Sequence, residues 1–90
     1  MSIKVKIPSH MQPFANDTEV VEVNGRTVGE CLKHLGEQFP HVGERLFDKQ
    51  GKLFVYFNIY VNGESAYPEK LDKPVKGGDE IRIVLFLAGG

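Results

Sequence analysis

The sequence predicts an α+β domain in which one main helix packs across one face of a mixed sheet of four or five strands. Three observations support this prediction. Apolar and polar residues alternate near both ends of the chain, an amphipathic helical pattern follows the second alternating segment, and the chain has 90 residues. A chain of this length forms one domain with one modest core, because folding buries only roughly 60–65% of the surface that the unfolded chain exposes.

The first two strands are predicted before residue 25. In residues 3–7 isoleucine and valine alternate with lysine, which is the period of a strand with one buried face. Pro8 ends this strand, and residues 10–17 are predicted to form a polar loop. A second strand is predicted over residues 18–23, and Asn24-Gly25 after it indicates a turn.

The main helix is predicted to begin after Thr27. The sequence Thr-Val-Gly-Glu over residues 27–30 matches the capping box, in which the threonine hydroxyl and the glutamate carboxylate each accept a backbone N–H. Apolar residues then recur with helical spacing up to Pro40, which ends the pattern. A short second helical turn is predicted around residues 42–47. The apolar stripe consists of Val28, Cys31, Leu32, Leu35 and Phe39.

The strongest strand pattern covers residues 53–62. Its odd positions are all apolar and are predicted to face the core, whereas its even positions are aromatic or amide residues. Asn62-Gly63 indicates a hairpin to a short strand near 64–67, and residues 68–80 are predicted to be a connection. The last strand is predicted to turn Ile81, Ile83 and Leu85 inward and Arg82, Val84 and Phe86 outward.

Composition excludes several classes of function. The formal net charge is −1 with acidic and basic residues interspersed, which argues against binding to nucleic acid or to an acidic membrane surface. No apolar run approaches the ~20 residues of a membrane span, so a soluble cytoplasmic protein is expected. The single cysteine, Cys31, cannot form an internal disulfide, and with His34 it supplies too few ligands for a metal site. We predict that it is a buried structural thiol.

The chain ends on two glycines. Glycine loses more backbone entropy on ordering than any other residue, so Gly89 and Gly90 are predicted to belong to a flexible tail, residues 87–90, beyond a domain at residues 1–86. Such a tail would present a small, mobile carboxylate.

The predicted order of elements is the β-grasp arrangement, and with the final Gly-Gly the chain resembles the MoaD/ThiS family of ubiquitin-like sulfur carriers. The similarity covers essentially the whole chain. Within the family, the stretch "ERLFDKQGKLFVYFNIYVNGE" is most similar to the branch that serves cysteine or homocysteine synthesis. The segments that carry the resemblance are "IKVKIP", "GRTVGECL", "FNIYVNGE", "GGDEIRIV" and "AGG".

This resemblance implies a carrier that enzymes act on, rather than an enzyme. An E1-like adenylyltransferase would use ATP to adenylate the carboxylate of Gly90, a sulfur donor would convert it to a thiocarboxylate, and a sulfur-acceptor biosynthetic enzyme would take the sulfur. No cofactor is expected on the chain itself. The residues that the resemblance assigns to this chemistry are Gly90, Gly89 and, more loosely, Ala88.

Docking on these partners requires a surface beside the tail. Aromatic and apolar residues predicted to face away from the helix would form it, together with Arg82, which could pair with an acidic partner residue. The alternative is that antiparallel strands simply favour aromatic pairs across the sheet. The predicted partner-binding residues are Phe54, Tyr56, Tyr60, Arg82, Val84, Phe86, Leu87 and Ala88.

Three other functions fit the same pattern. A ubiquitin-like modifier would be conjugated to target proteins through Gly90 after the same activation, although "FLAGG" lacks the arginines of ubiquitin's "RLRGG" ending. The small subunit of molybdopterin synthase would carry the same thiocarboxylate on a permanent partner. A β-grasp interaction domain would have an incidental Gly-Gly end, since fold alone does not assign function.

Overall fold

The computed structural model describes residues 2–86 and contains five strands and two α-helices. Short 3₁₀ segments cover Ser9–Ala15 and Lys70–Asp72. The predicted tail, residues 87–90, lies outside the described residues. The regular elements are β1 (Ile3–Lys6), β2 (Val20–Val23), α1 (Val28–Gln38), α2 (Pro40–Leu46), β3 (Phe57–Val61), β4 (Glu64–Ser65) and β5 (Glu80–Leu85).

The five strands form one mixed sheet in the order β2-β1-β5-β3-β4. β1 and β5 are parallel neighbours in the centre, whereas the other pairs are antiparallel. The register places Val5 beside Ile81 and Ile59 beside Ile83, so the apolar positions of neighbouring strands share one face. The predicted α+β fold, a mixed sheet with its main helix across one face, is confirmed.

The core lies between this sheet face and the helices. All of its strand residues occupy alternate positions, and the apolar stripe of α1 covers them. Cys31 is fully buried in this stripe, as predicted. The fully buried side chains of largest volume are Ile3, Val5, Met11, Val23, Val28, Cys31, Leu32, Leu35, Val42, Leu46 and Ile81.

The start of α1 follows the predicted capping pattern with one difference. The Thr27 hydroxyl accepts a hydrogen bond from the Glu30 backbone N–H at 3.1 Å. The Glu30 carboxylate reaches back one residue further than expected and accepts the N–H of Arg26 at 2.9 Å. Both bonds satisfy donors that the helix and the turn before it would otherwise leave free.

The two helices meet at glycines. A Cβ atom added to Gly43 would lie 3.0 Å from the Gly36 Cα, and one added to Gly36 would lie 3.2 Å from the Gly43 Cα. Glycine in the interior of α1 is unfavourable by roughly 1 kcal/mol relative to alanine. Here it permits α2 to pack directly against the backbone of α1.

The prediction that residues 10–17 form a polar loop is wrong for most of the segment. Ser9–Ala15 is a 3₁₀ helix, and two of its side chains, Met11 and Ala15, are fully buried. Arg45 on α2 places its guanidinium 3.6 Å from the centre of the Phe14 ring, which holds the segment against the helix. The polar composition concealed the two inward positions.

The prediction of a strand from residue 53 is also wrong for its first four residues, because β3 begins at Phe57. The Phe54 N–H donates to the Leu46 carbonyl at 2.9 Å, so this segment bonds to the end of α2. Val55, predicted to face the core, is 97% exposed, and Leu53 is only half-buried. From Phe57 onward the predicted alternation is correct.

Candidate functional site

The candidate site begins where β5 ends. The Phe86 N–H donates to the Tyr56 carbonyl at 2.6 Å, one residue beyond the last strand pair, Phe57 with Leu85. Phe86 is the last residue that the structure describes, and its side chain is 59% exposed. We call Phe86 the tail root, since the four remaining residues follow it directly.

Three aromatic rings support the tail root. The Tyr56 ring stacks on Phe54 with the ring centres 5.3 Å apart and the planes 7° apart. Its other contact is with Phe57, whose buried ring lies 5.0 Å away at 51°. We call Phe54, Tyr56 and Phe57 the aromatic corner. Because Tyr56 also provides the carbonyl that binds Phe86, the corner links the tail root to the core.

The outer face of the sheet, which lies opposite α1, adjoins this corner. The register places Tyr60 beside Arg82 and Asn58 beside Val84, and these residues alternate with buried ones. Arg82 is exposed, whereas Tyr60 and Val84 are half-buried. With Tyr56 at 42% exposure, the structure brings most of the predicted partner-binding residues to one face.

Phe54 is the exception among the described partner-binding residues. It was predicted to lie outward on a strand, but it precedes β3, is half-buried and packs against the core. Its backbone bond to α2 turns the side chain away from the regular alternation. Phe54 therefore supports Tyr56 instead of presenting its own ring to a partner.

Four predicted site residues lie outside the described part of the chain. They are Leu87, Ala88, Gly89 and Gly90.

Sequence reasoning did not predict the groove beside β3 and β4. It has a volume of about 440 Å³ and lies between residues 51–59 and 65–72. Val55 and Tyr67, which is 72% exposed, line it together with Leu71. The high exposure of Val55 depends on the turn before β3, and periodicity alone gives no indication of that turn.

The chemistry of the described residues is limited. Burial raises the pKa of the Cys31 thiol to about 11, and the nearby Glu30 carboxylate adds to the shift, so the thiol stays protonated and unreactive at neutral pH. Within residues 2–86 no cluster of three or more histidine, cysteine or acidic side chains is arranged to bind a metal ion. No helix in this part of the chain has the length and apolar character needed to cross a membrane.

Comparison with protein families identifies a match that covers most of the chain. The sequence model described as the ThiS family matches residues 5–90 of the chain. The sulfur carrier protein CysO of Mycobacterium tuberculosis is 32% identical over 93 residues, and the alignment covers 100% of both proteins.

Solved structures show the same similarity. A chain in the crystal structure of the Amycolatopsis orientalis BexX/CysO complex superposes with a TM-score of 0.87 at 30% identity, covering 98% of this chain and 99% of that one. The crystal structure of SAMP1, the small archaeal modifier protein 1 of Haloferax volcanii, gives a TM-score of 0.86 at 28% identity with full coverage of both chains.

Proposed function

The chain belongs to the ThiS family of sulfur carriers, and from this we propose that its reactive group is the Gly90 carboxylate, which an E1-like enzyme adenylates and a sulfur donor converts to a thiocarboxylate. Members of this family are substrates of E1-like enzymes and are not enzymes themselves. The observation that carries the proposal is the family match, which extends over the final Gly-Gly to residue 90.

The chemistry of a carboxylate explains why an activating enzyme is needed. An α-carboxyl group has a pKa near 3.5, so at neutral pH it is an anion that resists attack by a nucleophile. Attack of this carboxylate on the α-phosphorus of ATP expels pyrophosphate and forms an acyl adenylate. A sulfur nucleophile then attacks the acyl carbon and expels AMP, which leaves sulfur on Gly90.

The described residues fit the part of a carrier. Cys31, the one thiol of the chain, is buried with a raised pKa, so it is unsuited to accept or relay sulfur. Fully extended, residues 87–90 can reach roughly 13 Å from the tail root, which is enough to enter a narrow cleft while the domain stays outside. ATP is used by the partner, and a reducing cytoplasm suits the free thiol of the carrier.

The partner surface in this proposal is the outer face next to the tail root. Val84, Tyr56 and Tyr60 offer apolar and aromatic area there, and residues of these types are common at the centres of protein interfaces. We place Leu87 and Ala88 in the same contact, inside the entrance of the partner's cleft.

For the final acceptor we propose an enzyme of cysteine or homocysteine synthesis. The supporting observations are the stretch "ERLFDKQGKLFVYFNIYVNGE" and the full-length similarity to CysO. Mass spectrometry of mixtures of the thiocarboxylate form with candidate acceptor enzymes and substrates would identify the acceptor as the one into whose product the sulfur is transferred.

Intact-mass measurement of the protein from its native cells tests the proposed function. We expect a fraction whose mass has increased by the exchange of one oxygen for one sulfur at Gly90. Deleting Gly90 should abolish ATP-dependent pyrophosphate release yet leave the melting temperature unchanged, because the described buried core lies between Ile3 and Ile83. A variant with one alanine added after Gly90 retains every native residue but no longer has the terminal carboxylate on Gly90. It should also be inactive, which would show that the position of the carboxylate matters and not merely the number of residues. A full-length protein that is never activated would contradict the proposal.

A second candidate function is conjugation of Gly90 to other proteins. The similarity to the small archaeal modifier protein 1 favours it, with 34% identity over 71 residues, 78% of each protein. A ladder of isopeptide-linked products in native cells, absent from the Gly90 deletion, would establish this function. If the same experiment gave no such products, conjugation would be excluded and sulfur carriage would remain as the proposed function.

A further inference from the structure

Two positively charged side chains lie next to each other on the outer face of the sheet. β1 and β5 run parallel, and their register places Lys6 directly beside Arg82. Both point outward, because the residues before them, Val5 and Ile81, are fully buried on the opposite face. We call Lys6 and Arg82 the basic pair.

No carboxylate of the described chain neutralises the basic pair. Within residues 2–86 no lysine or arginine lies within 4.0 Å of a carboxylate oxygen, and the one acid–base contact is His41 Nδ1 with Glu44 at 3.4 Å on the helical side of the domain. Glu19 lines the same shallow depression as the basic pair but lies outside ion-pair distance of it. Like charges directly opposite each other on neighbouring strands destabilise a sheet. The fold therefore holds two like charges side by side with no carboxylate within ion-pair distance of either.

We use the word row for outward-facing residues that lie side by side across adjacent strands. The row next to that of the basic pair has a different arrangement of charges. Lys4 lies between Glu22 on β2 and Glu80 on β5, so opposite charges alternate along that row. In the row of the basic pair, the flanking residues are Val20 and Tyr60, neither of which is an acidic residue. Positive charge is thus concentrated in a single row, the one nearer to the apolar residues around the tail root.

We propose that the basic pair binds carboxylates on the surface of the E1-like enzyme that receives the tail. This inference rests on the proposed function and specifies the partner's surface. Arg82 precedes the tail root by four residues, which is roughly 13 Å along a strand. The partner should accordingly present an acidic patch roughly 13 Å from the entrance of its cleft, separated from it by an apolar surface that meets Val84.

Charge complementarity of this kind acts mainly on encounter and orientation. Opposite charges on two proteins raise the association rate and fix the register of the complex, and salt screens both effects. Arg82 precedes Gly90 by eight residues in the sequence, so we expect removal of the basic pair to weaken docking and to leave the chemical step of the bound complex unchanged.

Steady-state kinetics of ATP-dependent pyrophosphate release test this proposal, with the E1-like enzyme of the same organism and varied concentrations of the carrier. For the double variant Lys6→Glu/Arg82→Glu we expect KM to rise by about tenfold or more with kcat unchanged. The control is Lys33→Glu/Lys49→Glu, which changes the net charge equally at exposed positions on the helical side and should keep KM within about twofold. Added salt should raise KM for the wild type but not for Lys6→Glu/Arg82→Glu.

Single neutral substitutions provide a test that does not depend on reversing the charges. Because each removes one of two repelling charges, Lys6→Gln and Arg82→Gln should each raise the melting temperature by about 2–5 °C while also raising KM. A fall in melting temperature for both would mean that the pair stabilises the fold, and it would overturn the proposal. So would KM values equal to those of the control. If the wild type itself released no pyrophosphate, the proposed function would fail first, and this inference with it.

Discussion

Replacing Tyr56 by alanine tests how the domain supports its tail root. The substitution removes two ring contacts, with Phe54 at 5.3 Å and with Phe57 at 5.0 Å. Each such aromatic pair contributes about 0.5–1.5 kcal/mol. Since Tyr56 is 42% exposed and already partly hydrated, we expect the free energy of unfolding to fall by about 2 kcal/mol. The melting temperature should fall by about 10 °C in a domain of this size.

The local effect can be measured at a single amide. The Phe86 N–H is bound to the Tyr56 carbonyl, so its hydrogen exchange should be protected in the wild type. Loss of the ring contacts frees the carbonyl to move, and exchange of that amide should accelerate by about tenfold, which corresponds to about 1.4 kcal/mol. Tyr56→Phe keeps the ring contacts with both Phe54 and Phe57 and serves as the control. Unchanged exchange at Phe86 in Tyr56→Ala would refute the idea that the aromatic corner holds the tail root.

Three further predictions follow from the described contacts. Gly43→Ala should lower the free energy of unfolding by about 1 kcal/mol in a denaturant titration, because the new methyl group lies 3.0 Å from the Gly36 Cα. The better helix propensity of alanine offsets only part of the cost of this close contact. An equal or higher stability would show that the helices can separate. Cys31 should resist alkylation at pH 8 until the protein is unfolded, since burial raises the pKa of its thiol to about 11, and rapid labelling of the native protein would contradict this. The hydrogen bond from the Asn62 side chain lowers the pKa of Asp79 below its ordinary value of 3.8, so the Asp79 carboxylate stabilises the fold above that pH and this contribution is lost as the pH falls below it. Asp79→Asn should therefore flatten the acid limb of a curve of stability against pH. An unaltered acid limb would exclude the Asp79 carboxylate as its cause.

The sequence predicted the elements whose pattern is local. The alternation of Ile3 and Val5 and the helical stripe that contains Leu32 each report directly on one buried face, and both are correct. The capping residues also act within one turn, so the start of α1 was predictable.

The errors lie where a tertiary contact decides the backbone conformation. Residues 53–56 have the composition of a strand, but Phe54 bonds to Leu46 on α2, a contact eight residues back that periodicity cannot show. Met11 is buried in a segment whose other residues are mostly polar, because the 3₁₀ turn directs it to the core. At the candidate site, Tyr56 and Arg82 were predicted from alternation, whereas the carbonyl that holds Phe86 needed the structure.

The two edges of the sheet bear on whether a partner would add a strand to the sheet or, as we propose, dock on its outer face. On the edge formed by β2, the Gln38 side chain donates to the Glu22 carbonyl at 3.0 Å, and the Asn24 N–H donates to the His34 imidazole at 2.9 Å. These backbone groups are therefore already satisfied by α1, and a partner strand would have to displace both contacts. The other edge is β4, with only two residues. Strand addition is unfavourable at either edge, which favours the proposed docking on the open outer face, where the basic pair and the residues beside the tail root are presented together.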